Sequence, residues 1–222
     1  MRAFCARVVQ FATRRVRWSS RAQQATFTEI YRARRWGNGE SVSGPGSSRA
    51  RAAAFKADLV ALLTERRIRS ILDAPCGDFN WMREVLDGVD VHYTGVDIVE
   101  ELIAANRREY ERPDRQFLCA DLTRAALPAA DLVICRDGLV HLSFADALAA
   151  MRNFRRSGSR YLLATTFVGR ERNRDVATGG WRPLNMERAP FALSPPLALV
   201  DERCTHSDGI YRDKRMGLWP LR

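Results

Sequence analysis

The sequence lacks several features that would announce a class of protein. No apolar run approaches the ~18 to 20 residues that span a bilayer, so a transmembrane helix is excluded. The five cysteines (Cys5, Cys76, Cys119, Cys135 and Cys204) form no CxxC pair and have no histidine at zinc spacing. That excludes a disulfide framework and a metal site, and it points to a reducing, cytoplasmic setting. Lysine is almost missing: Lys56 and Lys214 stand alone among basic residues that are otherwise all arginine, a bias that GC-rich coding explains as well as any selected role. No internal repeat is visible, and no GxGxxG stands after a predicted strand, which argues against a nicotinamide-binding fold.

What is present begins with charge. The net +10 invites a nucleic-acid reading, but the segment 1–36 holds nine Arg and one acid, Glu29, and so carries +8 of it, leaving +2 for everything that follows. The excess therefore belongs to the N-terminal stretch, and nucleic acid is the disfavoured partner. Residues 1–26 read as a basic, poorly ordered leader; an amphipathic helix, an organellar presequence or a displaced start codon would look the same. Residues 27–36, FTEIYRARRW, have the aromatic spacing of a short helix. Residues 37–48, GNGESVSGPGSS, contain four Gly, four Ser and a Pro, which suits either a linker or an ordered lid lying close to a ligand.

From residue 51 the pattern alternates. Phe55, Leu59, Leu62 and Leu63 recur at helical spacing in a helix ending near Arg69. Then come a strand at SILD, a helix at FNWMREVLDG closed by Gly88, a strand at VHYTGVDI and a helix at VEELIAANRREY. Strands follow at RQFLCADL and AADLVICRD. The next helix, LSFADALAAMRNFRRSG, has Ser143 as its cap and Gly158 beyond its end; SRYLLATTF is the strand after it. PLALVDERC and RMGLWPL have the look of an antiparallel hairpin. Alternation of strand and helix over 51–167 predicts an α/β fold, a doubly wound sheet with helices on both faces.

In such sheets ligands bind at the carboxyl ends of the strands. Those ends here are acidic: Asp73 to Asp78 after the first strand, Asp97 after the second, Asp121 after the third, and Arg136 and Asp137 after the fourth. An acid at the end of the second strand, one strand–helix–strand unit beyond Asp73, suits a vicinal ribose diol, whose two hydroxyls donate to its two oxygens. Asp121, at the same interval again beyond Asp97, is placed to accept from an adenine amino group, with Leu122 against the ring. Any one of these acids alone reads equally as a turn residue or helix cap.

As an ordered set, ILDAPCGDFNW, YTGVDI, FLCADL and DLVICRD resemble motifs I to IV of the class I S-adenosylmethionine-dependent methyltransferase family, over roughly residues 51–222. The resemblance implies a Rossmann-like sheet of seven strands with the last antiparallel, and S-adenosyl-L-methionine as cofactor. It implies a cofactor site of Asp73, Pro75, Cys76, Gly77, Asp78, Asp97, Ile98, Asp121, Leu122 and Arg136, with Asp73 near the methionine amino group. The family's three motif I glycines stand here as Pro75, Gly77 and Phe79, so the turn takes its own course.

The acceptor pocket is expected after the fourth strand, with His141 as general base and Asp137 orienting it or the substrate; the alternative is that His141 merely packs against the next helix. No Asn-Pro-Pro-Tyr follows that strand, which disfavours nucleic-acid amines. Trp36, Trp181, Arg182 and Asn185 either line a pocket for a hydroxylated acceptor or belong to loops pinned to the domain. The function expected is methyl transfer to a hydroxylated small molecule or glycan. A methyltransferase acting on RNA or protein is the alternative, and a cofactor-binding module without catalysis a third.

Overall fold

The computed structural model describes residues 21–37, 39–204 and 209–221. Cys5 and most of the expected leader lie outside them. The elements in order are α1 (Arg21–Arg32), α2 (Arg49–Glu65), β1 (Ser70–Asp73), α3 (Met82–Leu86), β2 (His92–Asp97), α4 (Glu100–Tyr110), β3 (Arg115–Cys119), β4 (Leu132–Cys135), α5 (Phe144–Arg156), β5 (Tyr161–Phe167), β6 (Ala198–Asp201) and β7 (Lys214–Pro220). Short 3-10 turns stand at Pro45–Ser47 and Leu139–His141. Among the described residues no helix is long and apolar enough to cross a membrane.

The seven strands lie in the order β3-β2-β1-β4-β5-β7-β6. The first five run parallel, and β7 is inserted antiparallel between β5 and β6. This is the Rossmann-like sheet expected, with the hairpin of β6 and β7 closing one edge. Its strands are buried on both faces because apolar residues fill both pleat positions. Leu72, Val133, Leu162 and Ala164 face a core built with α5 (Ala147, Met151, Phe154). Ile71, Leu132, Ile134 and Leu163 face the other, built with α2 (Phe55, Leu59), α3 (Met82) and α4 (Ile103).

Three boundaries differ from the sequence expectation. Helix α1 starts at Arg21 rather than Phe27, since Gln23 and Ile30 supply its buried side. Helix α2 stops at Glu65, where Arg67 takes a positive φ of 51°. Helix α3 spans only five residues because Phe79, Asn80 and Trp81 are taken up by other contacts.

Phe79 occupies a family glycine position at φ 59°, a conformation that costs an L-residue roughly 1–2 kcal/mol. Its ring is fully buried and offsets that cost by packing on Tyr93, Tyr110 and Phe117, with centroids 5.0, 5.2 and 5.3 Å away.

Candidate active site

The sheet reverses its winding beside β1, which is flanked by β2 and β4. At the carboxyl ends of these strands lies a cavity whose floor is the turn Pro75, Cys76 and Gly77, with Asp97 at the end of β2, Asp121 after β3, and Arg136 and Asp137 after β4. Ile98, Val99, Leu102 and Leu122 give it an apolar side wall. Its roof comes from the N-terminal segment: Gln23, Phe27, Ile30 and Tyr31 of α1, then Trp36, Val42, Ser43 and Ser47. Val42, Ser43 and Ser47 thus bring the Gly/Ser-rich stretch against the cavity.

Asp97 is almost fully buried. Its Oδ2 accepts from the Gly77 amide at 3.2 Å and its Oδ1 from the Val99 amide at 3.0 Å; the Ile98 amide adds a third backbone bond, and a carboxylate with about four accepting sites keeps room for a further donor. Burial raises its pKa to about 6, against the opposing pull of the Val99 and Gly77 amides. Asp121 is held by Thr123, whose amide and hydroxyl donate to Oδ1 at 2.8 and 2.6 Å.

Two acids of the first turn stand elsewhere than expected. Asp73 does not line the cavity: it is the last residue of β1, 1% exposed, and accepts a 2.8 Å hydrogen bond from the Tyr93 hydroxyl. Burial lifts its pKa to about 7, with Tyr93 and Arg136 opposing and Asp97 adding to the rise. Its carboxylate is turned to the Tyr93 hydroxyl, and that bond, rather than a place in the cavity lining, is what the structure gives Asp73. Asp78 faces the lid instead. It accepts from Ser41 Oγ (2.8 Å), the Val42 amide (2.9 Å) and Ser43 Oγ (3.2 Å), while its own amide donates to Ser43 Oγ (3.0 Å). The lid lies so close that a Cβ on Gly77 would stand 2.3 Å from Ser43 Oγ, which is why glycine is required there.

After β4, Arg136 is sandwiched between Phe55 and Trp81, at 4.8 and 4.9 Å from the ring centroids, and bonds Glu202 through Nε (3.1 Å) and Nη2 (2.6 Å). Asp137 pairs with Lys214 at 2.6 Å. Burial alone would raise the Asp137 pKa; the Lys214 ammonium and the Arg136 guanidinium outweigh it and hold the group at about 2.

His141 lines the cavity in the turn Leu139–His141. The Gly180 carbonyl lies 2.8 Å from Nδ1, and a carbonyl only accepts, so neutral His141 carries its proton on Nδ1 and a lone pair on Nε2. Trp36 stacks on the imidazole with centroids 4.1 Å apart and planes 28° from parallel. Burial lowers the His141 pKa, opposed by the Gly180 bond and Asp137. Orientation of His141 therefore comes from Gly180 and Trp36, because the Asp137 carboxylate expected to do it is engaged by Lys214.

Trp181, Arg182 and Asn185 are absent from the lining. Trp181 is 41% exposed and packs edge-on against Phe167 and Tyr211. Arg182 Nη1 donates to the Leu139 carbonyl at 2.7 Å and its amide to Val140 O at 3.2 Å, which stitches the loop to the turn bearing His141. Asn185 donates to the Val168 and Arg170 carbonyls. These polar groups are directed at backbone rather than at a ligand. The residues that went unnoticed are Gln23, Phe27 and Tyr31 of α1 and the pair Glu202 and Lys214. A signal existed for one of them: Lys214 is one of only two lysines in the chain.

A family model described as a methyltransferase domain matches residues 71–158, the segment that contributes the turn, Asp97, Asp121, Asp137 and His141. Over that segment the chain is similar to methyltransferase domains. Among solved structures, magnesium protoporphyrin IX methyltransferase from Synechocystis PCC 6803, with bound S-adenosylmethionine, is 16% identical. That match covers 70% of this chain and 80% of that one at a TM-score of 0.51, a likeness of fold. The sugar N-methyltransferase from Streptoalloteichus sp ATCC 53650 is 24% identical over 51% of this chain and 47% of its own, with a TM-score of 0.42. An amino pentose methyltransferase from Micromonospora echinaspora is 19% identical over 49% and 48%, with a TM-score of 0.43. The matched region spans about half the length of these last two. No curated protein matches the chain.

Proposed function

We propose that this protein transfers a methyl group from S-adenosylmethionine to a hydroxyl of a small-molecule or glycan acceptor, with His141 as general base. The observation that carries the reading is a single roofed cavity at the strand ends, where Gly77, Asp97, Asp121 and His141 meet. The residues fit the cofactor. Asp97 keeps room for a further hydroxyl donor of a ribose, Ile98, Val99, Leu102 and Leu122 offer an apolar bed for adenine, and Gly77 lets a ligand approach the backbone.

When bound, S-adenosylmethionine would supply an electrophilic methyl group, with its sulfur as the leaving group. The protein's own part is alignment, exclusion of water and proton removal. His141 Nε2 takes the hydroxyl proton, and the Nδ1–H bond to Gly180 holds the ring in the tautomer this requires. Asp137, ionised nearby, favours the imidazolium so formed.

The roof of α1 and the lid favours a small acceptor over a folded RNA or protein. So does the charge of the lining, where the cation Arg136 is already paired with Glu202. Trp36 and Tyr31 give aromatic faces of the kind that sugar or other hydroxylated rings pack against. Thermal melting with S-adenosylhomocysteine tests the cofactor: a ligand at 100 times its Kd raises stability by about 2.7 kcal/mol, and an unmoved Tm sinks the proposal. Labelled-methyl transfer to a panel of hydroxylated metabolites and oligosaccharides tests the acceptor. His141→Gln is expected to lose about 100-fold or more in kcat while still binding S-adenosylhomocysteine.

A further inference from the structure

Beside the cavity lies a chain of four charges of alternating sign: Arg136, Glu202, Lys214 and Asp137. Arg136 meets Glu202 Oε2 at 2.6 Å, Lys214 Nζ meets the same oxygen at 3.1 Å, and Lys214 meets Asp137 Oδ2 at 2.6 Å. The side chains of Arg136, Glu202 and Lys214 are 4%, 3% and 8% exposed. Two members stand at the end of β4 and line the cavity; the other two come from the loop end of the C-terminal hairpin, just after β6 and at the first residue of β7.

Stability is a poor reason for this arrangement. Buried ion pairs barely repay their desolvation, and here Glu202 Oε1 is buried without a hydrogen-bond partner. The choice of lysine is informative in a chain whose other basic residues, Lys56 apart, are all arginine. A compact ammonium reaches two carboxylates at once, whereas a planar guanidinium matches one carboxylate side-on. Asp137 is also restrained from behind: its φ is 55°, and its amide donates to Thr165 Oγ1 at 2.8 Å. Lys214 stands close to that point in the β5–β7 register, opposite Phe167.

We propose that Lys214, backed by Glu202, is a positioning residue for the acid–base group: it fixes the Asp137 carboxylate beside the cavity, so that the C-terminal hairpin acts on the charge balance around His141. This rests on the reading of His141 as the base. The charged groups acting on His141 are Asp137, which favours its protonated form, and Arg182 and Lys214, which oppose it, with the Gly180 carbonyl on Nδ1 also favouring protonation. With Asp137 still held ionised by Arg136, removing Lys214 takes away an opposing cation and raises the His141 titration midpoint, whereas removing the Asp137 charge lowers it. Mere loosening would expose His141 and raise the midpoint in both cases, because burial is the largest influence depressing it.

The test is NMR titration of the imidazoles in the full chain, with the His141 signal assigned by its loss in His141→Gln. Lys214→Met is expected to shift the midpoint up and Asp137→Asn to shift it down, and kcat in Lys214→Met falls by up to the ~100-fold that acid–base catalysis supplies at its low end. An unmoved midpoint in Lys214→Met, or shifts of the same sign in the two variants, overturns the proposal. If Lys214→Met does not fold, Lys214→Gln takes its place: an upward shift opposed to that of Asp137→Asn supports the proposal, and an absent or same-sign shift overturns it. Calorimetry of the wild-type chain with S-adenosylhomocysteine runs beside this. Failure to bind overturns the methyltransferase reading, whereas opposed midpoint shifts support the coupling on their own.

Discussion

Single carboxyl groups carry most of the chemistry, and burial decides what each does. Asp97 has its pKa raised to about 6, and a ribose diol donating to its oxygens prefers the ionised form. Affinity for S-adenosylhomocysteine is therefore expected to tighten as pH rises from 5 to 7, and calorimetry across that range checks it. Asp97→Ala should weaken binding at least ~10-fold, since hydrogen bonds to a charged group contribute about 1.5–3 kcal/mol each. It should also remove the pH dependence. The candidacy of Asp97 and Asp121 was legible in the sequence because an acid directly after an apolar strand has little freedom of place. For Asp73 and Asp78, position in a turn did not tell which way the side chain points. Asp73 points into the sheet at Tyr93, Asp78 up to Ser41 and Ser43.

At the scale of elements, the lid and the helix after β4 make separate predictions. Residues 37–48 have the composition of a linker, and what turns them into a roof is Asp78, bonded to three consecutive lid residues, together with Asn80, whose Nδ2 reaches Glu40 and the Ser47 carbonyl. Asp78→Ala is expected to speed dissociation of S-adenosylhomocysteine about tenfold or more, measured by stopped flow, as bonds worth about 1.5–3 kcal/mol each to a charged group are lost. Helix α5 is capped by Ser143, whose Oγ accepts from the Asp146 amide at 3.2 Å, as its sequence implied. Ser143→Ala should cost ~1 kcal/mol in urea unfolding without altering ligand affinity. A cap is a local motif, closed within one helical turn. The lid is a contact between residues some 36 apart, which no local pattern encodes.

For the whole molecule, the buried acids set the dependence of stability on pH. Asp73 and Asp97 have folded pKa values of about 7 and about 6, above their unfolded value, so the native state holds extra protons between roughly pH 4 and 7. Their ionisation makes stability fall as pH rises through that window and level off above it. Asp137, held at about 2, acts in the opposite sense: its contribution is present above its unfolded pKa and is lost as pH falls toward 2. Chemical denaturation from pH 4 to 8 should show the decline, and Asp73→Asn, which can still accept from Tyr93, should flatten it and raise stability at pH 8.

Local pattern by itself determined the order of strands and helices, the two-sided burial of the parallel strands, the antiparallel C-terminal hairpin, and which strand ends carry acids. These follow from periodicity and from residue type at a boundary, both of which act within a short stretch of chain. Tertiary structure alone decided that the N-terminal helix and the Gly/Ser stretch cover the cavity and that Trp181, Arg182 and Asn185 serve a loop. It also decided that Lys214 and Glu202 arrive beside Asp137 and Arg136 from about 66 to 77 residues away. Such meetings depend on how the sheet is ordered and where β7 is inserted, because only packing brings distant charges within hydrogen-bond reach.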